Sequence, residues 1–171
     1  MAEQVKIRRA REEDVPEIMD IYNYAILNTT ATFDTEPKTF NDRIEWFKEH
    51  NEQYPLLVAV LNEKVVGWGS IRPFGTRKAY RYTVENAIYI NCDYQGMGIG
   101  TTLLRELIAI AQDRKYHTML ALVVGGNDAS EKMHRKFGFE QAGVMREVGR
   151  KFDRWLDIII FEKMLIEKSL E

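Results

Sequence analysis

The sequence predicts an α/β (α+β) domain built on a central mixed sheet with helices on both faces. Three observations lead to this fold class. An amphipathic helix pattern lies near the N-terminus, a hairpin pattern covers residues 56–71, and from residue 83 strand and helix patterns alternate before a closing hairpin. The 171 residues, 45% of them hydrophobic, suffice for one core. Because no repeat or linker divides them, residues 1–171 are expected to form a single domain.

Local hydrophobic patterns predict each secondary-structure element in the first half of the chain. The predicted elements are a strand at 5–8, helices at 14–28 and about 39–50, and strands at 56–61 and 65–71. The first helix has apolar residues at three-and-four spacing, with Asp14 as a candidate cap. Pro37 interrupts the β-branched stretch between the two helices, which is therefore predicted to be a loop.

In the second half of the chain, predicted strands and helices alternate more regularly. Its predicted elements are a strand at 83–90, a helix at 98–115, a strand at 119–124, a helix at 129–137, and strands at about 140–150 and 155–163. The helix at 98–115 has the strongest pattern, because Ile99, Leu103 and Leu107 share one stripe. The mixed order of elements predicts a sheet covered on both faces.

Composition excludes several classes of protein. Lys and Arg number 24 against 26 Asp and Glu, so the net charge of -2 offers no basic surface for nucleic acid. The single cysteine, Cys92, excludes an internal disulfide framework. The first residues lack the apolar core of a signal peptide, and no apolar run is long enough for a spanning helix. A cytoplasmic protein without membrane or nucleic-acid partners is expected.

A glycine loop, Gln95–Gly100, lies between a predicted strand and the longest helix. Glycines allow close approach of a ligand, and the free N–H groups of a helix start bind phosphate groups. A P-loop requires Gly-Lys-Ser/Thr, but Thr101 follows Gly100. A dinucleotide fingerprint requires a third glycine where Thr101 or Leu103 stands. The loop instead resembles the Gln/Arg-x-x-Gly-x-Gly pyrophosphate loop of the GNAT superfamily; a plain glycine turn remains the alternative.

A second segment, 127–139, strengthens the resemblance. NDASEKMHRKFGF is similar to the other half of the GNAT acetyl-CoA site, although His134 stands where many members have tyrosine. The blocks TFDTEP, IRPF, AYRYTVENAIYI and GRKFDRWLD resemble the phosphinothricin and methionine sulfoximine N-acetyltransferases, in which histidine is expected there. The resemblance covers nearly the whole chain. It implies the GNAT fold with a mostly antiparallel sheet, acetyl-CoA as co-substrate, no metal, a small-molecule amine as acceptor, and a homodimer.

The resemblance also implies site residues. Glu85 is expected to be the catalytic base and His134 to protonate the CoA thiolate or assist the base. Expected donor-binding residues are Ile88, Tyr89, Ile90, Gln95, Gly96, Met97, Gly98, Ile99, Gly100, Thr101, Asn127 and Ser130. Expected acceptor-binding residues are Phe33, Arg72, Phe74, Arg77, Tyr80, Tyr82, Glu85, Asn86 and Ala87. Ordinary structural roles compete with several of these, notably an N-cap for Asn127 and a structural position for His134.

The resemblance therefore implies direct acetyl transfer from acetyl-CoA to the α-amine of a glutamate-like amino acid or analogue, such as phosphinothricin, methionine sulfoximine or methionine sulfone. Guanidinium groups at Arg72 and Arg77 suit a substrate carboxylate. Two alternatives stay open: acetylation of a protein or peptide N-terminus on the same fold, and a non-catalytic acyl-CoA sensor, which would need no base. Cys92 is expected to be a semi-buried strand-end residue rather than a nucleophile, since direct transfer needs no covalent intermediate.

Overall fold

A mixed sheet with helices on both faces forms the described part of the chain, residues 4–166 of a computed structural model. Its strands are β1 (Lys6–Arg9), β2 (Leu56–Leu61), β3 (Lys64–Pro73), β4 (Thr83–Ile90), β5 (Thr118–Val124), β6 (Glu140–Lys151) and β7 (Arg154–Met164). The helices are α1 (Val15–Asn28), α2 (Phe40–Lys48), α3 (Ile99–Asp113) and α4 (Asp128–Lys136). The predicted fold class is confirmed, and element ends move by only a residue or two. The two ends of the predicted domain, 1–3 and 167–171, lie outside the described residues.

The sheet has the strand order β1-β2-β3-β4-β5-β7-β6. All neighbouring strands are antiparallel except β4 and β5, which are parallel. This parallel pairing is short: residues 83–85 pair with 118–120, and no later residue of β4 pairs with β5 in the described chain. The two strands therefore separate beyond Glu85 and Leu120. We call the opening between residues 86–90 of β4 and 121–124 of β5 the β4–β5 gap.

Alternation along the strands gives the sheet two apolar faces. On β2, Leu57 and Ala59 pack with α3 in the larger core, whereas Leu56 and Val58 pack beneath α1. Side chains of successive strand residues point to opposite faces, so this division follows directly from the period of two. The helices α1 and α2 thus cover one face, and α3 covers the other.

Asp14 occupies the N-cap position of α1, as predicted, but its side chain makes no capping hydrogen bond there. Its carboxylate accepts two hydrogen bonds from the Arg8 guanidinium, at 2.7 and 2.8 Å, and a third from the Arg11 backbone N–H at 2.7 Å. Burial alone would raise the pKa of Asp14, but these hydrogen bonds outweigh it and lower the pKa. The paired carboxylate ties β1 to the start of α1, a tertiary contact that local sequence does not reveal.

No helix among residues 4–166 is long and apolar enough to cross a membrane.

Candidate active site

A cavity of about 1000 Å³ passes through the β4–β5 gap. It begins at the glycine loop before α3 and ends on the face of the sheet covered by α1 and α2. Its walls come from β4, the N-terminal ends of α3 and α4, and the segment 29–39 between α1 and α2. We call this segment the α1–α2 loop. The separation of β4 from β5 thus connects the two faces of the sheet.

The glycine loop leaves the first turn of α3 open to a ligand. Gly96 and Gly98 have φ angles of 78° and 77°, which side-chain-bearing residues adopt rarely. Gly98 is the N-cap of α3, and no side chain of the described chain caps this helix. The N–H groups of Ile99, Gly100 and Thr101 therefore have no partner within the helix. Together with the positive end of the helix dipole, they are suited to bind a phosphate group.

The edge of β4 supplies further backbone groups. Residues 86–90 pair with β3 on one side, where Ile88 is opposite Gly69 and Tyr89 opposite Trp68. On the other side they face the gap, so alternate N–H and C=O groups point into it. Ile88, Tyr89 and Ile90 all line the cavity. This edge is suited to hydrogen-bond an extended, amide-containing chain as a neighbouring strand would.

Glu85 lies where the gap opens. It forms the last β4–β5 pair, with Leu120, and stands opposite Arg72 on β3. Its side chain is buried, and Oε1 accepts a hydrogen bond of 2.6 Å from Arg72 Nη2. Arg72 and Glu85, predicted to have separate roles, are therefore ion-paired with each other. Glu85 lines the cavity between two halves. One half, the donor half, lies beside the glycine loop, and the other lies beneath α1 and α2.

His134 is buried on α4 and has partners at both ring nitrogens. Nδ1 lies 2.8 Å from the carbonyl oxygen of Ser130, and Nε2 lies 3.1 Å from Oδ1 of Asn86. The amide of Asn86 donates in turn to the Leu120 carbonyl at 3.2 Å. Burial lowers the pKa of His134, although the contact with the Ser130 carbonyl acts in the opposite direction. This chain of contacts joins α4, β4 and β5 beside Glu85.

Asn127 and Ser130 both line the cavity, but each already has structural contacts within α4. The side chain of Asn127 accepts a hydrogen bond of 3.2 Å from the Ser130 N–H and is the N-cap of α4. The N-cap interpretation is therefore confirmed for Asn127. A contact of its free amide group with a ligand stays a prediction.

The half of the cavity beneath α1 and α2 is lined by aromatic and polar side chains. The rings of Tyr22 and Tyr89 meet edge-to-face with centroids 5.0 Å apart, and the Tyr22 hydroxyl donates to Asp34 at 2.6 Å. Lys151 Nζ, at the end of β6, donates to the Thr32 carbonyl at 2.9 Å. These contacts hold the α1–α2 loop over the cavity. Ala87 and Phe33, two of the predicted acceptor residues, also line it.

Arg43 belongs to this half of the cavity and was missed by the sequence analysis. It is the buried residue of α2, only 4% exposed, and its guanidinium carbon lies 3.5 Å from the centre of the Trp46 ring. Burial lowers the pKa of Arg43 to about 10, so the group remains charged at neutral pH. Trp46 is three residues away and shares its helix face. This three-residue spacing was the one sequence signal that Arg43 packs against Trp46. It was not decisive, because an arginine on a short helix is usually exposed to solvent.

Several predicted site residues do not reach the cavity. Among the residues that the structure describes, its lining omits Met97, Phe74, Arg77, Tyr80 and Tyr82. The loop after β3 folds onto itself instead, with the rings of Phe74 and Tyr80 in edge-to-face contact at 5.1 Å. Met97 is 58% exposed on the turn before α3. Acceptor or donor contacts at these five positions stay predictions.

Cys92 was expected to be semi-buried, but it is exposed. It lies in a short turn directly after β4, outside the cavity lining among the described residues. The turn leaves its side chain exposed, which a strand-end position in the sequence does not specify.

Comparison with known proteins gives a consistent result. The model of the acetyltransferase (GNAT) family matches residues 18–139. The L-methionine sulfoximine/L-methionine sulfone acetyltransferase of Pseudomonas aeruginosa is 40% identical over 158 residues, covering 91% of this chain and 92% of that protein.

Two solved structures extend the comparison. A phosphinothricin acetyltransferase from Sinorhizobium meliloti in complex with acetyl-CoA has a TM-score of 0.91 at 32% identity, covering 94% of this chain and 88% of that one. A ribosomal-protein-alanine N-acetyltransferase from Brucella melitensis has a TM-score of 0.91 at 39% identity, covering 93% and 99%. The resemblance inferred from the sequence blocks is thereby confirmed at the level of the family.

Proposed function

Because the chain belongs to the GNAT family of acetyltransferases, we propose that it transfers the acetyl group of acetyl-CoA to the α-amine of a small glutamate-like amino acid or analogue. The relatives that act on phosphinothricin, methionine sulfoximine or methionine sulfone support this class of acceptor. The transfer is direct, within a ternary complex. A single observation carries the proposal: Glu85 lies in the cavity between a phosphate-binding helix start and an aromatic pocket.

The donor half fits acetyl-CoA. The free N–H groups at the start of α3 suit its pyrophosphate, and the edge of β4 at Ile88–Ile90 suits the amides of its pantetheine arm. A Cβ added to Gly100 would lie 3.1 Å from Met133 Sδ, so glycine keeps the passage between α3 and α4 open. Acetyl-CoA supplies the thioester, and one N–H of the β4 edge polarises its carbonyl group.

Glu85 is the proposed general base. An α-amino group has a pKa near ~8, so it must lose a proton before it attacks. The carboxylate takes this proton directly or through a water, while Arg72 holds the carboxylate in position at 2.6 Å. We assign to His134, which also lines the cavity, assistance to the base through its contact with Asn86, the neighbour of Glu85, because burial lowers its pKa and both of its ring nitrogens have partners.

Acetylation of a protein N-terminus is the second candidate, favoured by the similarity to the Brucella melitensis structure. Such an acceptor needs an open groove for the following residues. In this chain the α1–α2 loop covers the aromatic half of the cavity and is fixed by Lys151 and Tyr22. This cover favours a small amino acid over a peptide.

A homodimer is the proposed assembly. The outer strand β6 carries exposed apolar side chains at Val144, Met145 and Val148, and the neighbouring Trp155 of β7 is 62% exposed. An exposed apolar edge strand of this kind is usually covered by a partner.

A mass-spectrometric screen with acetyl-CoA tests the proposed reaction. We expect acetylated products from phosphinothricin, methionine sulfoximine and methionine sulfone, and none from peptides beginning with alanine. Initial-rate plots should intersect, and Cys92→Ala should retain most activity because Cys92 is exposed outside the cavity lining. Products from the peptides alone would support the second candidate. Parallel plots with an acetylated cysteine would contradict direct transfer.

Gly149→Ala is expected to impair the amine site selectively. A methyl group at Gly149 on β6 would lie 2.6 Å from Cδ2 of Phe33, so the ring and the α1–α2 loop must move. Such overpacking typically costs about 1–3 kcal/mol, and we expect KM for the amine to rise about 5- to 100-fold. Gly143→Ala on the same strand is the control, because an added Cβ there has no neighbour within 4 Å. An equal rise in KM for acetyl-CoA would contradict the assignment.

A further inference from the structure

We propose that Arg43 and Trp68 form a subsite for the terminal oxo group of the acceptor's side chain: phosphinate, sulfoximine, sulfone or carboxylate oxygens. This inference rests on the proposed function and adds a specificity determinant to it. It concerns the end of the substrate remote from the reacting amine.

The first observation is a set of unpaired donors. Nε and Nη2 of Arg43 and Nε1 of Trp68 are buried, and none has a hydrogen-bond partner among residues 4–166. Buried polar groups are nearly always hydrogen-bonded, and an unpaired buried charge is costly. The guanidinium carbon of Arg43 lies 5.4 Å from the centre of the Trp68 ring, so the three donor nitrogens belong to one cluster. Both residues line the cavity.

The second observation is the lack of an available acceptor. Asp34 is the carboxylate whose charge acts on Arg43, but its oxygens are occupied by the Tyr22 hydroxyl at 2.6 Å and by Lys38 Nζ at 3.2 Å. The rings of Tyr22 and Trp46 cover the guanidinium at 4.8 and 3.5 Å without supplying a hydrogen bond acceptor in the ring plane. A cluster of donors without an acceptor is complementary to oxygen atoms that only accept.

The third observation is the position of the cluster relative to Glu85. On β3, Trp68 and Arg72 are four residues apart and on one face; opposite them on β4 are Tyr89 and Glu85. The strand rise gives about 13 Å between the two pairs, at roughly 3.3 Å per residue. The long side chains of Arg43 and Arg72 reach over this interval. The space left between the Glu85 carboxylate and the Arg43 guanidinium suits an amino acid whose amine is at Glu85 and whose side chain ends at Arg43.

The test compares L-methionine sulfone with L-methionine, which differ only in the two sulfone oxygens. The wild type should prefer the sulfone in kcat/KM. Charged hydrogen bonds of this kind account for about 10- to 100-fold, so Arg43→Met should reduce the preference by that factor, mainly through KM for the sulfone. KM for acetyl-CoA should not change. Trp68→Phe, which removes only one donor, should reduce the preference less.

Stability separates this subsite from a structural role. Replacing an unpaired buried charge with an apolar side chain is usually neutral or stabilising, so Arg43→Met should keep or raise Tm while it loses the preference. Arg150→Met is the control, since Arg150 also stacks on an indole ring, that of Trp155, at 5.7 Å but outside the cavity. An Arg43→Met protein that keeps the sulfone preference would overturn the inference and make Arg43 a packing residue.

Failure of the proposed function has a different signature. If the wild type acetylates neither amino acid, the proposed acceptor class is wrong, and the subsite is judged by oxyanion binding alone. With saturating CoA present to fill the phosphate site at the start of α3, inorganic phosphate should then raise Tm of the wild type and not of Arg43→Met. Equal shifts for both proteins would overturn the subsite as well. If Arg43→Met does not fold, Arg43→Lys, which keeps the charge but loses the planar fork, should show the same loss of preference.

Discussion

Glu85→Gln is expected to lower kcat by about 10²- to 10⁴-fold near neutral pH, equivalent to roughly 3–5 kcal/mol of barrier. Glutamine keeps the size of the side chain and an oxygen that accepts the hydrogen bond from Arg72. It removes the basicity and the negative charge that pairs with Arg72. The affinity for acetyl-CoA should be nearly unchanged, because the free N–H groups of α3 and the edge of β4 are not altered.

The pH dependence distinguishes loss of a base from a structural defect. At high pH the acceptor amine arrives deprotonated, so the variant should be partly rescued, and the wild-type to variant ratio of kcat/KM should fall as the pH rises. The ionisation of the amine itself affects both enzymes equally, so it cancels in this ratio. Glu140→Gln on the outer strand is a matched control, and it should leave kcat unchanged. A ratio near one at every pH for Glu85→Gln would mean that Glu85 is only a strand residue.

Gly98→Val has the second-largest expected effect, on the donor site. Gly98 has a φ of 77°, in the left-handed region, and valine would force the backbone out of it. The N–H groups that begin α3 then no longer converge on the pyrophosphate. Losing one or two hydrogen bonds to a charged group, each worth about 1.5–3 kcal/mol, should raise KM for acetyl-CoA by at least about 10-fold and by 10²-fold or more if two bonds are lost. KM for the amine should change far less.

The matched control for this variant is Gly138→Val. Gly138 has a φ of 79° after α4 and lies outside the cavity lining of the described chain, so valine there creates the same backbone strain away from the donor site. Both variants are compared by acetyl-CoA and amine KM values together with Tm. An equal rise in both KM values for Gly98→Val, or equal effects of the two substitutions, would contradict a pyrophosphate site at this loop.

Elements of the fold could be predicted because their signals are local. The stripe on α3 and the alternation on β2 determine which face is buried, and the glycine loop is a motif with fixed spacing. Asp14 is at the predicted N-cap position of α1, but its side chain does not cap the helix because its partner, Arg8, is on β1. That contact is set by the tertiary structure, which overrides the local preference of aspartate for an N-cap.

The site was predicted less completely for a related reason. Residues on the donor side follow one another in sequence, whereas the aromatic half of the cavity assembles α1, α2 and two strands. Arg43 was missed because only the converging rings of Tyr22, Trp46 and Trp68 make its position a buried one. Phe74 and Tyr80 were assigned to the acceptor site by motif, and their mutual packing is not encoded in the spacing of that motif.

The short pairing of β4 with β5 has a consequence for cooperativity. Among the described residues, only three pairs join the half-sheet β1–β4 to the half-sheet β5–β7, so the sheet is continuous in strand order but not in its hydrogen bonds. In the proposed complex, a pantetheine arm along β4 would supply the missing hydrogen bonds. In thermodynamic terms the donor then acts as an additional strand, and its binding energy contributes to the coupling between the two half-sheets. Amide hydrogen exchange along residues 86–90 should therefore slow when the donor binds, as it does when a strand joins a sheet.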